Sequence, residues 1–357
     1  MGAHSEVTPE ERKRYVAAIQ AKHMRVCDVM LEAGVTRNTV AAWIDRYGED
    51  LRRHGFARDF SAPAIPSSDR TAEEILAAKK VKLERVRSHY EAKRLLNVNI
   101  HLDGPVAFAF LGDPHLDDDG CDIVAFERDV DLIDQTEGMF AFVVGDWCNT
   151  WIGRFMAFYA NQITTRSEGW VLAEWAFTKL QRKMIGNIAG NHDAWAGSED
   201  PLAWLSHLKG LSYIHHGARM KLNLPDGSHI MLNLAHDFPG HSQWNPVHGH
   251  AKKQWKWDDD LLVCGHKHNT AIGMVPSVRD SRPCWMIRCD SYKVFDDYPG
   301  KLGIDETQVA PCVVAVIDPE ATTAGRITIF LDPAEAANYL TYKRQLWNQR
   351  KTRLKRR

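Results

Sequence analysis

Apolar residues follow two patterns along this chain. Before Val106 they recur at helical spacing; beyond it, short unbroken apolar runs alternate with helical stretches. Thr8-Pro9-Glu10-Glu11 opens the first helix: Thr8 caps, proline suits the first turn, and Glu11 completes a capping box. That helix runs to about Ala21, and a second covers Val26 to Ala33. After the turn at Gly34-Val35, Thr36 caps a third helix, Arg37 to Tyr47, with Val40, Ala41, Ile44 and Tyr47 on one face. Asp59 to Arg70 carries Pro63, Pro66 and small polar residues, and reads as a linker. Thr71-Ala72-Glu73-Glu74 starts a long helix to about Leu96, bearing Lys79, Lys82, Arg85, Arg87 and Lys93.

Val106–Leu111 and Met139–Val144 are apolar throughout, as strands buried on both faces are. Met184–Ala189, Ile230–Leu234, Leu261–Cys264, Cys284–Cys289, Val313–Ile317 and Ile327–Leu331 read as further strands. Helices fit Asp122–Glu137 and Phe155–Arg182, the latter with an irregular stretch around Thr164–Glu168. Strands alternating with helices predict an α/β domain. The domain plan expected is 1–58 helical, 59–102 linker and basic helix, 103–335 the α/β domain, and 336–357 a basic tail.

Composition narrows the classes. A net charge of -1 predicts no global attraction to nucleic acid or membrane, so any such attraction is local. No apolar run of about 18 residues exists, and Met1–Glu10 is polar, so neither a membrane span nor a secretory signal is expected. The seven cysteines form no CxxC pair, which fits reduced thiols and a cytoplasmic location.

Two short helices around a Gly turn resemble a helix-turn-helix DNA-binding module, with Arg37, Asn38 and Thr39 as its base readers. The alternative is a small helical bundle that docks on the main domain or on another protein, since the basic excess of this segment is slight. Lys343 to Arg357 holds eight Lys/Arg and no acid, and reads as a tail attracted to polyanions.

Five polar motifs each follow a predicted strand: Gly112-Asp113-Pro114-His115, Gly145-Asp146-Trp147-Cys148-Asn149, Gly190-Asn191-His192-Asp193, Ala235-His236-Asp237 and Gly265-His266-Lys267-His268. Ligands of open α/β sheets bind at the carboxyl ends of strands. Asp113, His115, Asp146, Asn191, His236, His266 and His268 offer carboxylate and amide oxygens and imidazoles, with no thiolate. That set suits two divalent ions, with Mn²⁺ favoured and Fe, Zn, Co or Ni as alternatives. Asp146, alone between paired donors, is the candidate bridge. In His236-Asp237-Phe238-Pro239-Gly240-His241 two histidines compete, and His236 is favoured because it directly follows a strand.

The motif order resembles the calcineurin-like metallophosphoesterases over roughly residues 105–335. The resemblance implies a four-layer α/β/β/α sandwich, here with a small all-α N-terminal domain, and a two-metal site at the strand ends. It assigns Asp113, His115, Asp146 and His268 to one metal, and Asp146, Asn191, His236 and His266 to the other. His192 would contact the phosphate and assist the leaving group, with Asp193 orienting it. The implied activity is phosphodiester hydrolysis by a two-metal-activated hydroxide, on nucleic acid given the flanking segments. Alternatives are hydrolysis of small phosphorylated molecules or nucleotides, and a DNA-binding adaptor in which this domain is a scaffold.

Other residues carry weaker expectations. Trp147 and Trp195 read as core packing, and His248-Gly249-His250 as a surface loop. Arg154, Arg166, Tyr292 and Lys293 lie near the motifs and are possible phosphate or base contacts.

Overall fold

The computed structural model describes residues 7–54, 69–92, 94–197, 200–240, 242, 244–295 and 309–355. The chain divides into two compact units, Met1–Ala78 and Lys79–Arg357.

In the first unit the helices are α1 (Pro9–Gln20), α2 (Val26–Ala33) and α3 (Arg37–His54). The Thr8/Glu11 capping box forms, and Gly34 closes α2 in the left-handed conformation at φ 66°. Val16, Val29, Val40, Trp43 and Tyr47 make the core. Helix α4 (Ala72–Ala92) follows and has no buried residue. The division between the units falls inside α4.

The second unit contains twelve strands among its described residues: β1 (Leu96–Asn99), β2 (Val106–Leu111), β3 (Met139–Val143), β4 (Met184–Ala189), β5 (Tyr213–His215), β6 (Gly217–Asn223), β7 (His229–Ala235), β8 (Leu261–Cys264), β9 (Ala271–Pro276), β10 (Pro283–Arg288), β11 (Cys312–Ile317) and β12 (Ile327–Phe330). Its helices after α4 are α5 (Ile123–Gln135), α6 (Arg166–Leu180), α7 (Asn191–Ala194), α8 (Pro201–Leu208), α9 (His248–Trp257) and α10 (Pro333–Lys355). A 3₁₀ segment covers Gly153–Asn161.

The strands form two six-stranded sheets, β12-β11-β2-β3-β4-β5 and β1-β6-β7-β8-β10-β9. In the first, β2 to β5 run parallel and β11 pairs antiparallel to β2. The sequence of β2 explains its place. Val106, Phe108 and Phe110 point into the core between the sheets, while Ala107, Ala109 and Leu111 point into the core beneath the helices. Strands buried on both faces need no polar alternation.

Phe126, Val130 and Ile133 of α5, Ala173, Ala176, Phe177 and Leu180 of α6, and Ala336, Ala337 and Leu340 of α10 complete that helical side. On the far side α9 packs on β8 and β10. The layers are therefore helix, sheet, sheet, helix, as the resemblance implies. No helix among the described residues is long and apolar enough to cross a membrane.

Three features depart from the sequence reading. Residues 96–99, placed in the linker, form β1 and pair with β6. The expected basic tail is helical to Lys355. There Arg344, only 5 % exposed, donates to the Asp103 and Pro105 carbonyls and to Glu137. Lys343, Arg350 and Lys351 pair with Asp318, Glu320 and Asp103. Much of that basic charge is committed within the fold. His250 is no surface-loop residue either: it is fully buried in α9, with Nε2 beside the Ile287 carbonyl and the Cys264 thiol.

Candidate functional site

The five motifs leave the carboxyl ends of β2, β3, β4, β7 and β8. Because β2, β3 and β4 are parallel neighbours, as are β7 and β8, those ends meet along one edge of the two sheets. Backbone bonds bind the motifs to one another. His115 donates its N–H to the Asp146 carbonyl at 3.0 Å, Leu116 to the Trp147 carbonyl at 2.8 Å, and Gly265 to the His236 carbonyl at 3.0 Å.

Two donor groups converge there. In one, Asp113, His115 and His268 present ligand atoms within 4.8 Å of one another; in the other, Asp146, His236 and His266 do. Asp146 also forms such a group with His115 and His192, so its carboxylate stands between the two sets. His268 Nε2 is 3.3 Å from His115 Nε2 and 3.4 Å from Asp113 Oδ2. His236 Nε2 is 3.2 Å from Asp146 Oδ2, 3.0 Å from Asn191 Oδ1 and 3.1 Å from His266 Nδ1. All seven expected donors are thus brought together. His241 lies outside the described residues.

The chemistry of this crowding is specific. His236 Nδ1 faces the Val144 carbonyl at 2.8 Å, so Nδ1 carries a proton. Its Nε2 then faces three acceptor-capable atoms at once. One proton serves one of them, whereas a cation serves all. Asp113 Oδ1 and His115 Nδ1 are buried without a hydrogen-bond partner. Burial pushes the His115 imidazolium well below its ordinary value, and His192 and His268 add to that. Burial likewise lowers His266 to about 4, with His236 and Lys267 contributing. Burial alone would lower His236, but the Asp146 and Asp113 carboxylates outweigh it and hold it at about 10. The site is a concentration of carboxylate and amide oxygens and imidazole nitrogens, which could hold divalent ions.

The backbone is strained where the donors sit. His115, Asp146, His266 and His268 have φ of 47°, 52°, 71° and 46°. Left-handed conformations cost a non-glycine residue roughly 1–3 kcal/mol each and gather at functional sites. Two glycines make room. Gly145 takes φ 118°, and a Cβ on Gly190 would lie 2.0 Å from Asp146 Oδ1.

Asp193 is held by the backbone around Asp146. Its carboxylate is fully buried and accepts the N–H groups of Asp146 at 2.8 Å, Trp147 at 3.2 Å and Gly190 at 2.8 Å. These bonds tie it to the strained Asp146 turn, and none of its described hydrogen bonds reaches His192. The His192 ring is positioned instead by the Asn149 carbonyl, which faces Nδ1. Asn149 is itself fixed, its N–H donating to Asp117 at 2.6 Å and its Nδ2 to Asp118 at 2.7 Å. Lys293, 8 % exposed, pairs with Asp118 at 2.9 Å. Sequence reasoning missed this support because the group that touches His192 is a main-chain carbonyl.

The weaker expectations divide. Trp147 is core, its Nε1 donating to Asn187 Oδ1 at 2.6 Å. Tyr292 is buried with its hydroxyl on Asp129, so it is not a substrate contact. Trp195 is half-buried and packs on His192, with ring centroids 4.3 Å apart. Arg154 lies over the Phe155 ring at 5.0 Å, and Arg166 opens α6. In the first unit, Arg37 and Asn38 are exposed at the start of α3, and Thr39 donates its N–H to Thr36 Oγ1 at 3.3 Å.

No family model matches the chain, and no curated protein sequence matches it. Among solved structures it is similar to wild-type Vps29 complexed with zinc from Entamoeba histolytica, at 11% identity and TM-score 0.34 over 63% of this chain and 97% of that one. An archaeal phosphodiesterase is similar at 14% identity and TM-score 0.34, over 63% and 100%. The nuclease MPE of Pseudomonas putida is similar at 14% identity and TM-score 0.29, over 65% and 87%.

Proposed function

We propose that the second unit is a calcineurin-like, metal-dependent phosphoesterase that hydrolyses phosphodiester bonds, with nucleic acid as its substrate class. The observation that carries this is the Asp146 carboxylate standing between two convergent donor groups. Asp113, His115, Asp146 and His268 would hold one divalent ion; Asp146, Asn191, His236 and His266 would hold the other. Oxygen and imidazole donors without thiolate fit Mn²⁺, and also Fe, Zn, Co or Ni. Bound there, such ions supply Lewis acidity toward phosphoryl oxygens and lower the pKa of water.

The chain's own residues supply the rest. His192 Nδ1–H donates to the Asn149 carbonyl, which leaves Nε2 to carry the proton exchanged with the leaving oxygen. Asp193 keeps Asp146 in place through backbone N–H groups. The order of helices α1 to α3, with Arg37 and Asn38 exposed, supports a DNA-directed role for the first unit. The pairing of Lys343, Arg350 and Lys351 with Asp318, Glu320 and Asp103 favours the second reading, small phosphorylated molecules.

The test is turnover of bis(p-nitrophenyl) phosphate beside p-nitrophenyl phosphate, with Mn²⁺ and with chelator, for the wild type and His192→Ala. Metal-dependent diester turnover that falls in the variant is expected. Turnover of the monoester alone would remove the phosphodiesterase reading.

A further inference from the structure

The carbonyl that faces His192 Nδ1 belongs to the Asn149–Thr150 peptide, which lies in no strand or helix. Thr150 follows at φ 44° and is fully buried. A left-handed conformation in such a residue persists only where its surroundings over-determine it. Here two consecutive carboxylates do so. Asp117 Oδ1 accepts the Asn149 N–H at 2.6 Å, and Asp118 Oδ2 accepts the Asn149 amide Nδ2 at 2.7 Å. The amide oxygen of Asn149 is buried without a hydrogen-bond partner. Among the described residues, the side chain is therefore anchored through its hydrogen bond to Asp118.

Each carboxylate is itself held. Asp117 Oδ2 accepts the Tyr159 hydroxyl at 2.8 Å, and that hydroxyl oxygen accepts the Trp151 N–H at 3.2 Å. Asp118 Oδ1 accepts the Gly120 N–H at 2.9 Å, while Oδ2 meets Lys293 Nζ at 2.9 Å. Lys293 is placed in turn by a metal-donor residue. Its N–H donates to Ser291 Oγ at 2.9 Å, and the Ser291 hydroxyl donates to the Asp113 carbonyl at 2.8 Å. The Asp118 and Lys293 side chains are each only 4% exposed. Burying such a pair costs desolvation that its attraction can fail to offset, so stability gives little reason for it. A chain of contacts thus runs from Asp113 through Lys293, Asp118 and Asn149 to the His192 ring.

We propose that Asp118 and Lys293 are positioning residues for the leaving-group step: their ion pair fixes Asn149, and the Asn149 carbonyl fixes the His192 ring. The inference rests on the phosphoesterase reading and adds what makes His192 productive within it. In that step the bond from phosphorus to the leaving oxygen breaks, and that oxygen takes the His192 Nε2 proton. The oxygen gained by phosphorus comes from water. A general acid must sit within hydrogen-bond reach of the atom it protonates. Rotation of the Asn149–Thr150 peptide would release Nδ1 and let the ring turn. A poor leaving group needs the proton most, so losing the pair should be felt most where the leaving group is poor.

The experiment uses the full-length protein with Mn²⁺ and two diesters that differ only in the group that leaves: phenyl p-nitrophenyl phosphate and diphenyl phosphate. The readout is the ratio of their kcat values, diphenyl over nitrophenyl. General acid catalysis contributes about 10²–10⁴-fold, so His192→Ala should lower the ratio strongly. The double variant Asp118→Asn/Lys293→Met removes both charges together and strands neither. It should lower the ratio by about tenfold or more, part of that contribution. Added to His192→Ala, the same pair of changes should lower the ratio no further, because residues acting through one group are not additive. A second readout needs no turnover. In ¹⁵N-histidine spectra of the metal-free protein, the His192 ring N–H signal, assigned by its loss in His192→Ala, should exchange faster with water in the double variant.

Equal slowing of both diesters by the double variant would overturn the proposal, since general damage does not distinguish leaving groups. A further fall of the ratio in the His192→Ala background would overturn it too. A ratio unmoved by His192→Ala would take the leaving-group role from His192 and the proposal with it. No turnover of either diester by the wild type would sink the phosphoesterase reading instead; the ring signal then decides the positioning by itself, and an unchanged exchange rate in the double variant would refute it. Melting temperatures identify any variant that does not fold. Asp118→Asn alone, which keeps the side-chain volume, carries the test in that event, with a smaller fall of the ratio expected.

Discussion

Gly190→Ala isolates the geometry on which the site depends. Gly190 has φ -82° and ψ -171°, a conformation alanine adopts freely, so the backbone contributes nothing to the outcome. The added Cβ would lie 2.0 Å from Asp146 Oδ1 and 2.7 Å from the Asp146 nitrogen, where ordinary contact begins at 3.4 Å. The carboxylate oxygen must therefore retreat by about 1.4 Å, the difference between those figures. In retreating it loses the N–H of His192, which it accepts at 2.9 Å. A misplacement of about 1 Å at a reacting centre costs on the order of 100-fold in rate, or about 2.7 kcal/mol. Overpacking adds about 1–3 kcal/mol of lost stability.

The assay is bound manganese per chain, melting temperature and diester turnover on one preparation. A drop of about 100-fold in turnover with weakened metal binding is expected. Wild-type metal content together with turnover within threefold of wild type would refute the reasoning, because Asp146 would then not need its position.

Other perturbations separate the remaining parts. Asp193→Asn cannot accept on two oxygens, so it leaves at least one buried backbone N–H without its partner; a stability loss of about 1–3 kcal/mol is expected, visible as a lowered melting temperature, whereas a purely kinetic defect would make Asp193 the partner of His192. Saturating Mn²⁺ at about 100 times its dissociation constant should stabilise the protein by about 2.7 kcal/mol, an effect that thermal scans should find missing in Asp146→Asn. Burial, aided by Arg288, lowers His250 from 6.5 to about 4. Its neutral form is thus favoured by folding: the stabilisation is complete above the unfolded value and is lost as pH falls from 6.5 through 4, amounting to about 3 kcal/mol for that difference. His250→Gln should flatten the denaturation free energy over that window relative to the wild type, and an unchanged slope would count against it. Truncation after Asp332 removes Ala336, Ala337 and Leu340 from the core; it should lower stability even without nucleic acid, where loss of polyanion binding alone would return the segment to a tail.

The parts of this architecture that could be read from sequence are those with both faces buried. β2, β3 and β11 announce themselves because neither side of the strand meets water, leaving unbroken apolar runs. β6 escaped notice since its residues alternate between buried and half-buried, as Gly-Ala-Arg-Met-Lys-Leu-Asn, with charges on the open face. β1 is a short edge strand in which no residue is fully buried. The donor residues were legible for the same reason as the strands: each follows an apolar run directly, where a polar side chain has no packing purpose.

The support around those donors was not legible. Asn149 acts on His192 through a carbonyl that every residue carries, and Asp193 acts on backbone 46 and 47 positions away. Phe155 of the 3₁₀ segment meets Trp195 at the end of α7, a contact without periodicity in the chain. The C-terminal basic residues misled because charge run and charge partner are far apart in sequence: Arg344 finds Glu137 and Lys351 finds Asp103.

Counting divalent ions in the purified protein tests the central claim most directly. Manganese-edge anomalous diffraction or elemental analysis after Mn²⁺ loading should give two ions per chain, one in each donor group, with occupancy of both falling together in Asp146→Asn. One ion, or two whose binding does not depend on Asp146, would contradict the account of Asp146 as the carboxylate that joins the two sets.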